Sequence, residues 1–198
     1  MSRRVFDILA SSTGIVVVVV LVIAGGLLTW GHGFVNSNVH DQLAQQQIYF
    51  PPAAAFAHPR AGSEITPSMI PSVSQYAGQQ LLTGEQAKTY ANDFIAVHLS
   101  EMPYGGVYSK ISTAAMAQPK DTQLAALKQT SFTGTTLRGL LLEAYAFSTM
   151  GTIMLWGAIA SFLGAIAMSA LVGLGFWHAR HTEADERMLA PKAVPASS

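Results

Sequence analysis

The sequence predicts an all-α membrane protein in which two transmembrane helices pack as a hairpin, with a small helical extracytoplasmic domain between them. Three observations carry this expectation. Residues 8–31 and 144–177 contain no Asp, Glu, Lys or Arg, and each exceeds the roughly 20 apolar residues needed to cross a bilayer as a helix. The segment between them holds most of the chain's charge and a series of helix-start and helix-stop signals. Nowhere does it show the apolar/polar alternation of a half-buried strand. The expected organisation is a cytoplasmic amino terminus at 1–7, a first span at 8–30, an extracytoplasmic domain with stalk and Pro-rich loop at 31–143, a second span at 144–177, and a cytoplasmic tail at 178–198.

The first span carries thirteen Ile, Leu and Val residues, among them the unbroken run Val16 to Val20. At about −0.3 to −0.6 kcal/mol each, such residues contribute roughly −4 to −8 kcal/mol to insertion. Five valines favour a strand in water, but lipid offers no partner for a strand edge, so the environment selects helix. The second span is richer in small residues. Gly157, Ser161, Ala165, Ser169 and Gly173 recur every fourth position, a stripe that allows close helix–helix approach and is the predicted helix-packing surface. At 1.5 Å per residue this run reaches about 50 Å, more than the ~30 Å of hydrocarbon, so it must tilt or project. Residues 148–173 form its expected immersed part.

Cations near the span ends set the orientation. Arg3 and Arg4 precede the first span, and Arg180, Arg187 and Lys192 follow the second; both termini are therefore expected in the cytoplasm of a multi-pass cell-membrane protein. Lys128 and Arg138 weaken the contrast on the far side. Phe6 and Trp177 mark one interface, Trp30 and Tyr145 the other. Ser2-Arg3-Arg4-Val5-Phe6 resembles the start of a twin-arginine export signal, but Asp7 interrupts it, the apolar run is too long and no Ala-x-Ala site follows. A retained anchor is the expectation.

Beyond the first span, Val35, Val39 and Leu43 keep a four-residue step, which predicts a helical stalk through Gln47 that Pro51-Pro52 ends. Residues 51–76 carry five prolines and read as extended loop; Met69, Ile70, Val73 and Tyr76 predict that its later part lies on a partner surface. Thr83 and Gln86 match a capping box opening a helix that Pro103 ends. Its apolar face holds Ala87, Tyr90, Ala91, Phe94, Ile95, Val97, Leu99 and Met102. Gly105-Gly106 turns the chain into a helix from Tyr108 to Gln118, and Asp121 caps a third carrying Leu124, Ala125 and Leu127. Gly134 is expected to separate that helix from the last one.

The strings Asn38-Val39-His40-Asp41-Gln42-Leu43-Ala44, Tyr76-Ala77-Gly78-Gln79-Gln80-Leu81, 90–99 and 137–147, with Gly175-Phe176-Trp177-His178, resemble a family of small two-pass membrane proteins from actinobacteria. The resemblance covers most of residues 5–180. It implies the topology and source, and it brings no activity, cofactor or catalytic residue.

Chemistry is sparse. There is no cysteine, which removes disulfides and thiolate nucleophiles, and net charge is zero, which leaves no basic footprint for nucleic acid. Gly-x-Ser-x-Gly, His-Glu-x-x-His, a phosphate loop and a dinucleotide fingerprint are absent from the sequence. The acidic residues between the spans are scattered. His98 falls near the centre of the apolar face of its helix and is the one possible buried polar site, read as a neutral imidazole bonded to a backbone carbonyl or hydroxyl. His32 and His40 lie two turns apart; His178 and His181 lie one turn apart among charged residues and read as a solvated flank. The expectation is a non-enzymatic protein with no cofactor or metal. It is expected to be an accessory or scaffold component of a cell-envelope or membrane complex, with membrane lipid and a protein or a second copy of itself as partners. The alternative is an extracytoplasmic ligand sensor on a two-helix anchor.

Overall fold

A computed structural model of the chain describes residues 3–59 and 64–181. Among these the only extended pairing is an isolated antiparallel bridge between Tyr49 and Gln80. Everything else regular is helical. Two helices dominate, α1 (Arg3–Gln46) and α6 (Thr122–His181), both long and apolar enough to cross a membrane. Between them lie the short helices α2 (Ile70–Val73), α3 (Gly84–Thr89), α4 (Ala96–Glu101) and α5 (Tyr108–Ala117). The chain divides into two compact units: one comprises the residues up to Gly31 and from Ile153 onward, the other His32–Thr152.

In the first unit α1 and α6 run antiparallel. As α1 advances through Ser11, Gly14, Leu21, Gly25, Leu28 and Gly31, it meets Gly175, Val172, Gly164, Phe162, Gly157 and Met154 in turn. The positions withdrawn from the surface alternate in steps of three and four: Ser11, Gly14, Val18 and Leu21 on α1, and Ala158, Ser161, Ala165, Met168 and Val172 on α6. That 3.5-residue repeat keeps two helices in register along one seam. A methyl added at Gly25 would lie 2.8 to 3.1 Å from three atoms of the Phe162 ring. The remaining apolar surface is open. In the most apolar stretch of each helix only 17% (α1) and 6% (α6) of residues are buried, and Ile23, Leu27, Trp30, Ile153, Leu163 and Ile166 are all more than half exposed.

The second unit has a conventional core. Phe50, Ile65, Met69, Val73 and Leu81 are fully or almost fully buried, joined by Ala87 and Ala91 of the α3 region and by Val39, Leu43 and Leu141 of the long helices. Residues 51–76, expected as extended loop, instead form short turns at Ala53–Phe56, Pro67–Met69, Ile70–Val73 and Ser74–Tyr76. Prolines sit at the first positions of two of these turns, where a missing N–H costs nothing. Apolar side chains then hold the turns in place. Chain reversal after α1 uses Gln47 at φ 51°. Phe50 N donates to Gln79 O (2.9 Å) and Leu81 N to Ile48 O (2.9 Å), tying the end of α1 to the approach to α3.

Thr83 caps α3 as the sequence requires: Gln86 N donates to Thr83 Oγ1 (3.3 Å), and the Gln86 side-chain carbonyl accepts from Thr83 N (3.1 Å) and Leu82 N (2.8 Å). The helix that Pro103 ends is not α-helical throughout, since Tyr90–Ile95 is a π-helical segment between α3 and α4. Asp121 Oδ1 accepts from Gln123 N (2.9 Å) and Leu124 N (3.0 Å), but the helix so opened runs unbroken to His181, and the expected break at Gly134 does not exist. Gly134 is there for space. A methyl at that position would lie 2.9 Å from Leu99 Cδ2, so the glycine lets the end of α4 close on α6.

Candidate functional site

An apolar groove of about 380 Å³ lies within the unit His32–Thr152. One wall is α1 with Phe34, Asn38, Gln42 and Gln46; the other is α6 with Leu140, Glu143 and Phe147. No residue from 47–136 lines it. The four-step row Val35, Val39, Leu43 forms the groove floor, and Val39 and Leu43 are buried. The adjacent row, one residue earlier, supplies the amides. Gln42 Nε2 donates to Asn38 Oδ1, which leaves the second Gln42 amide proton directed elsewhere. Phe34, Leu140 and Phe147 are 57%, 59% and 48% exposed, so the groove presents unfilled apolar surface around one carboxylate.

A second, polar recess of about 440 Å³ is lined by Asn36, Ser37, His40, Asp41 and Thr83, with Ser148 beyond. Gly84 closes it on one side. A methyl there would lie 2.3 Å from Ser148 Cβ, so the start of α3 rests directly on α6. Nearby, Lys88 Nζ donates to Tyr145 Oη (3.3 Å) and stands 4.7 Å from that ring's centroid. The Tyr145 hydroxyl, and next the Glu85 charge, hold the Lys88 ammonium above its ordinary pKa. In the core, burial and secondarily the Glu64 charge push the Tyr90 phenol up.

The predicted site residues take different places. Ala165 is buried, Ser161 is half-buried, and Gly157 packs against Leu28, 3.1 Å from its added-methyl position. Ser169 is exposed and its hydroxyl donates to Ala165 O (2.7 Å); Gly173 has nothing within 4 Å of its methyl position. The reason is angular. A strict four-residue step advances about 40° per repeat round an α-helix, so the stripe leaves the seam that alternating steps of three and four follow. His98 is half-buried, with Nδ1–H donating to Phe94 O (2.8 Å) and its ring edge-on to Phe94 at 4.5 Å. The π segment carries more residues per turn than an α-helix, so a wheel drawn at 100° over-rotates everything after Ile95. His98 consequently leaves the centre of the face.

His178 Nε2 lies 3.8 Å from Asp7 Oδ2 across the seam, and His181 Nδ1–H donates to Trp177 O (2.8 Å). Among the described residues no three of His, Asp and Glu are grouped to hold a metal ion. His32 also joins the two long helices, its Nδ1–H donating to Gly151 O (2.8 Å). Replacing His32 with Ala should cost about 1 kcal/mol, the net worth of one hydrogen bond, read as faster amide exchange at 148–155 in the full chain. Unchanged exchange there would show that the bond holds nothing.

Two sequence signals could have found the groove: the amide row Asn38, Gln42, Gln46 beside the buried row, and the exposed Leu140 and Phe147 between charged and small neighbours. Comparison with protein families, curated proteins and solved structures returns no match to this chain.

Proposed function

We propose that the chain is a two-pass membrane protein with α1 and α6 crossing the bilayer as a packed hairpin, both termini in the cytoplasm and the unit His32–Thr152 outside. It acts as a non-enzymatic accessory or scaffold component of an envelope or membrane complex. The observation that carries the reading is the exposure of the long helices. A core helix of a water-soluble protein buries its apolar face, yet these two leave most of theirs uncovered. At about 25 cal/mol per Å² of apolar surface, that exposure favours lipid over water as the solvent around them. The resemblance to small two-pass actinobacterial membrane proteins belongs to the same proposal. Crosslinking in cells followed by extraction in mild detergent is expected to return the chain in fixed ratio with a second polypeptide or with itself. A monomeric, partner-free species would overturn the scaffold role.

The polar recess around His40, Asp41 and Thr83 favours a second reading, an extracytoplasmic sensor of a polar small molecule. Thermal-shift screening of the full chain with envelope metabolites separates the two, because a ligand bound at 100 times its Kd stabilises by about 2.7 kcal/mol. A silent panel disfavours sensing.

A further inference from the structure

We propose that the groove between α1 and α6 in the unit His32–Thr152 is a homodimer interface, filled by the same groove of a second copy around a two-fold axis along the membrane normal. The inference rests on the membrane placement proposed above. Copies inserted in one bilayer share their orientation, so a closed two-fold pair can only have its axis normal to the membrane, and residues meet others at their own level.

The level of each residue follows from the antiparallel register. Val35 stands opposite Gly151, its Cγ1 3.4 Å from the methyl position there. Each step along α1 corresponds to one step back along α6. Gln42 is therefore level with Ala144 and adjacent to Glu143, Asn38 is level with Phe147's neighbour Ser148, and Gln46 is level with Leu140. In a two-fold pair α1 of one copy faces α6 of the other. The free amide proton of Gln42 then meets the partner's Glu143 at one height, twice over.

That rung decides the occupant. An acyl chain laid in the groove would cover Phe34, Leu140 and Phe147 but would offer no donor to the exposed Glu143 carboxylate that lines it. Among the described residues no cation pairs with Glu143. A second copy covers the same apolar side chains and brings an amide to each carboxylate by symmetry, as hydrogen bonds to a charged group require. The groove is self-complementary in both its apolar and its polar parts, which is what an isologous interface demands.

The natural absence of cysteine makes the test clean. Full-length Gln42→Cys and Glu143→Cys copies carrying different tags are co-expressed and oxidised in intact membranes. A mixed disulfide between the two tags is expected, and none between Gln42→Cys and Met116→Cys, a position 68% exposed and away from the groove. In detergent, Glu143→Arg should lower the dimer fraction about tenfold by losing the hydrogen-bonded carboxylate, and Gln42→Glu in the same chain should restore it by supplying the opposite charge. A membrane-embedded chain that forms no mixed disulfide above the control overturns the dimer while leaving the membrane reading intact. So does a monomer that retains lipid, or a Gln42→Cys adduct to a polypeptide of another mass. Recovery of the chain without detergent defeats the membrane reading itself.

Discussion

Gly106→Ala should destabilise the unit His32–Thr152 by about 3 to 4 kcal/mol, near the upper end for a single substitution. Gly106 sits at φ 65°, a left-handed conformation that costs a side-chain-bearing residue about 1 to 2 kcal/mol. The larger effect is steric. An added methyl would lie 2.2 Å from the Leu99 carbonyl oxygen and 2.7 Å from its carbon, and backbone cannot rotate aside as a side chain can. The same residue's carbonyl accepts from Ser131 Oγ (2.7 Å), whose side chain is fully buried. Any shift of the loop therefore breaks a buried bond to α6 as well. Gly105→Ala is the matched control: φ is 64° and nothing lies within 4 Å, so only the conformational cost of about 1 to 2 kcal/mol applies. Amide exchange across 84–101, measured on the full chain in detergent, distinguishes the pair. Equal effects would contradict the close approach of the loop to the end of α4.

Phe50→Ala should cost about 3 to 5 kcal/mol, the range for emptying a buried aromatic site. Phe50 is 2% exposed and sits inside a run of rings: Tyr76 at 5.1 Å, Tyr90 edge-on at 5.3 Å, then Phe94 and His98 beyond. It couples the turn at Ser74–Tyr76 to the π segment, so its loss should release both together. Phe50→Leu, which keeps most of the volume, should cost less than half as much by the same cavity argument. The readout is the near-ultraviolet tyrosine dichroism of the unit, since all three tryptophans lie in the other one. A variant that keeps that signal and melts with the parent would show that the ring run is not a packed core.

Local chemistry was legible wherever a signal acts within one turn. The Thr83/Gln86 box, the Asp121 cap, and the stops at Pro103 and near Pro119 all follow from satisfying or blocking backbone groups a few residues away. What depends on a neighbour across the fold was not legible. Gly134 reads as a break because nothing in its own segment reveals that Leu99 arrives against it. The prolines of 51–76 read as loop because their turns are held by Met69 and Val73 in a core that they share with the π segment. The π segment, invisible to a 100° wheel, moves His98 off the face where the sequence puts it. On the spans, composition marks the apolar helices, while the seam needs the 3–4 alternation that a search for small residues at a fixed step of four does not follow. The groove was missed for the same reason: Phe34, Asn38, Gln42, Leu140, Glu143 and Phe147 come from two helices about 100 residues apart in sequence.

The central claim is that α1 and α6 cross lipid and hold His32–Thr152 outside the cell. Single cysteines at Met116, within that unit, and at Ser197, which lies outside the described residues, test it in a chain that has no other thiol. Intact cells treated with a membrane-impermeant maleimide should label Met116→Cys at once and Ser197→Cys only after permeabilisation. Labelling of Ser197→Cys with Met116→Cys protected, or equal labelling of both without permeabilisation, would contradict the account.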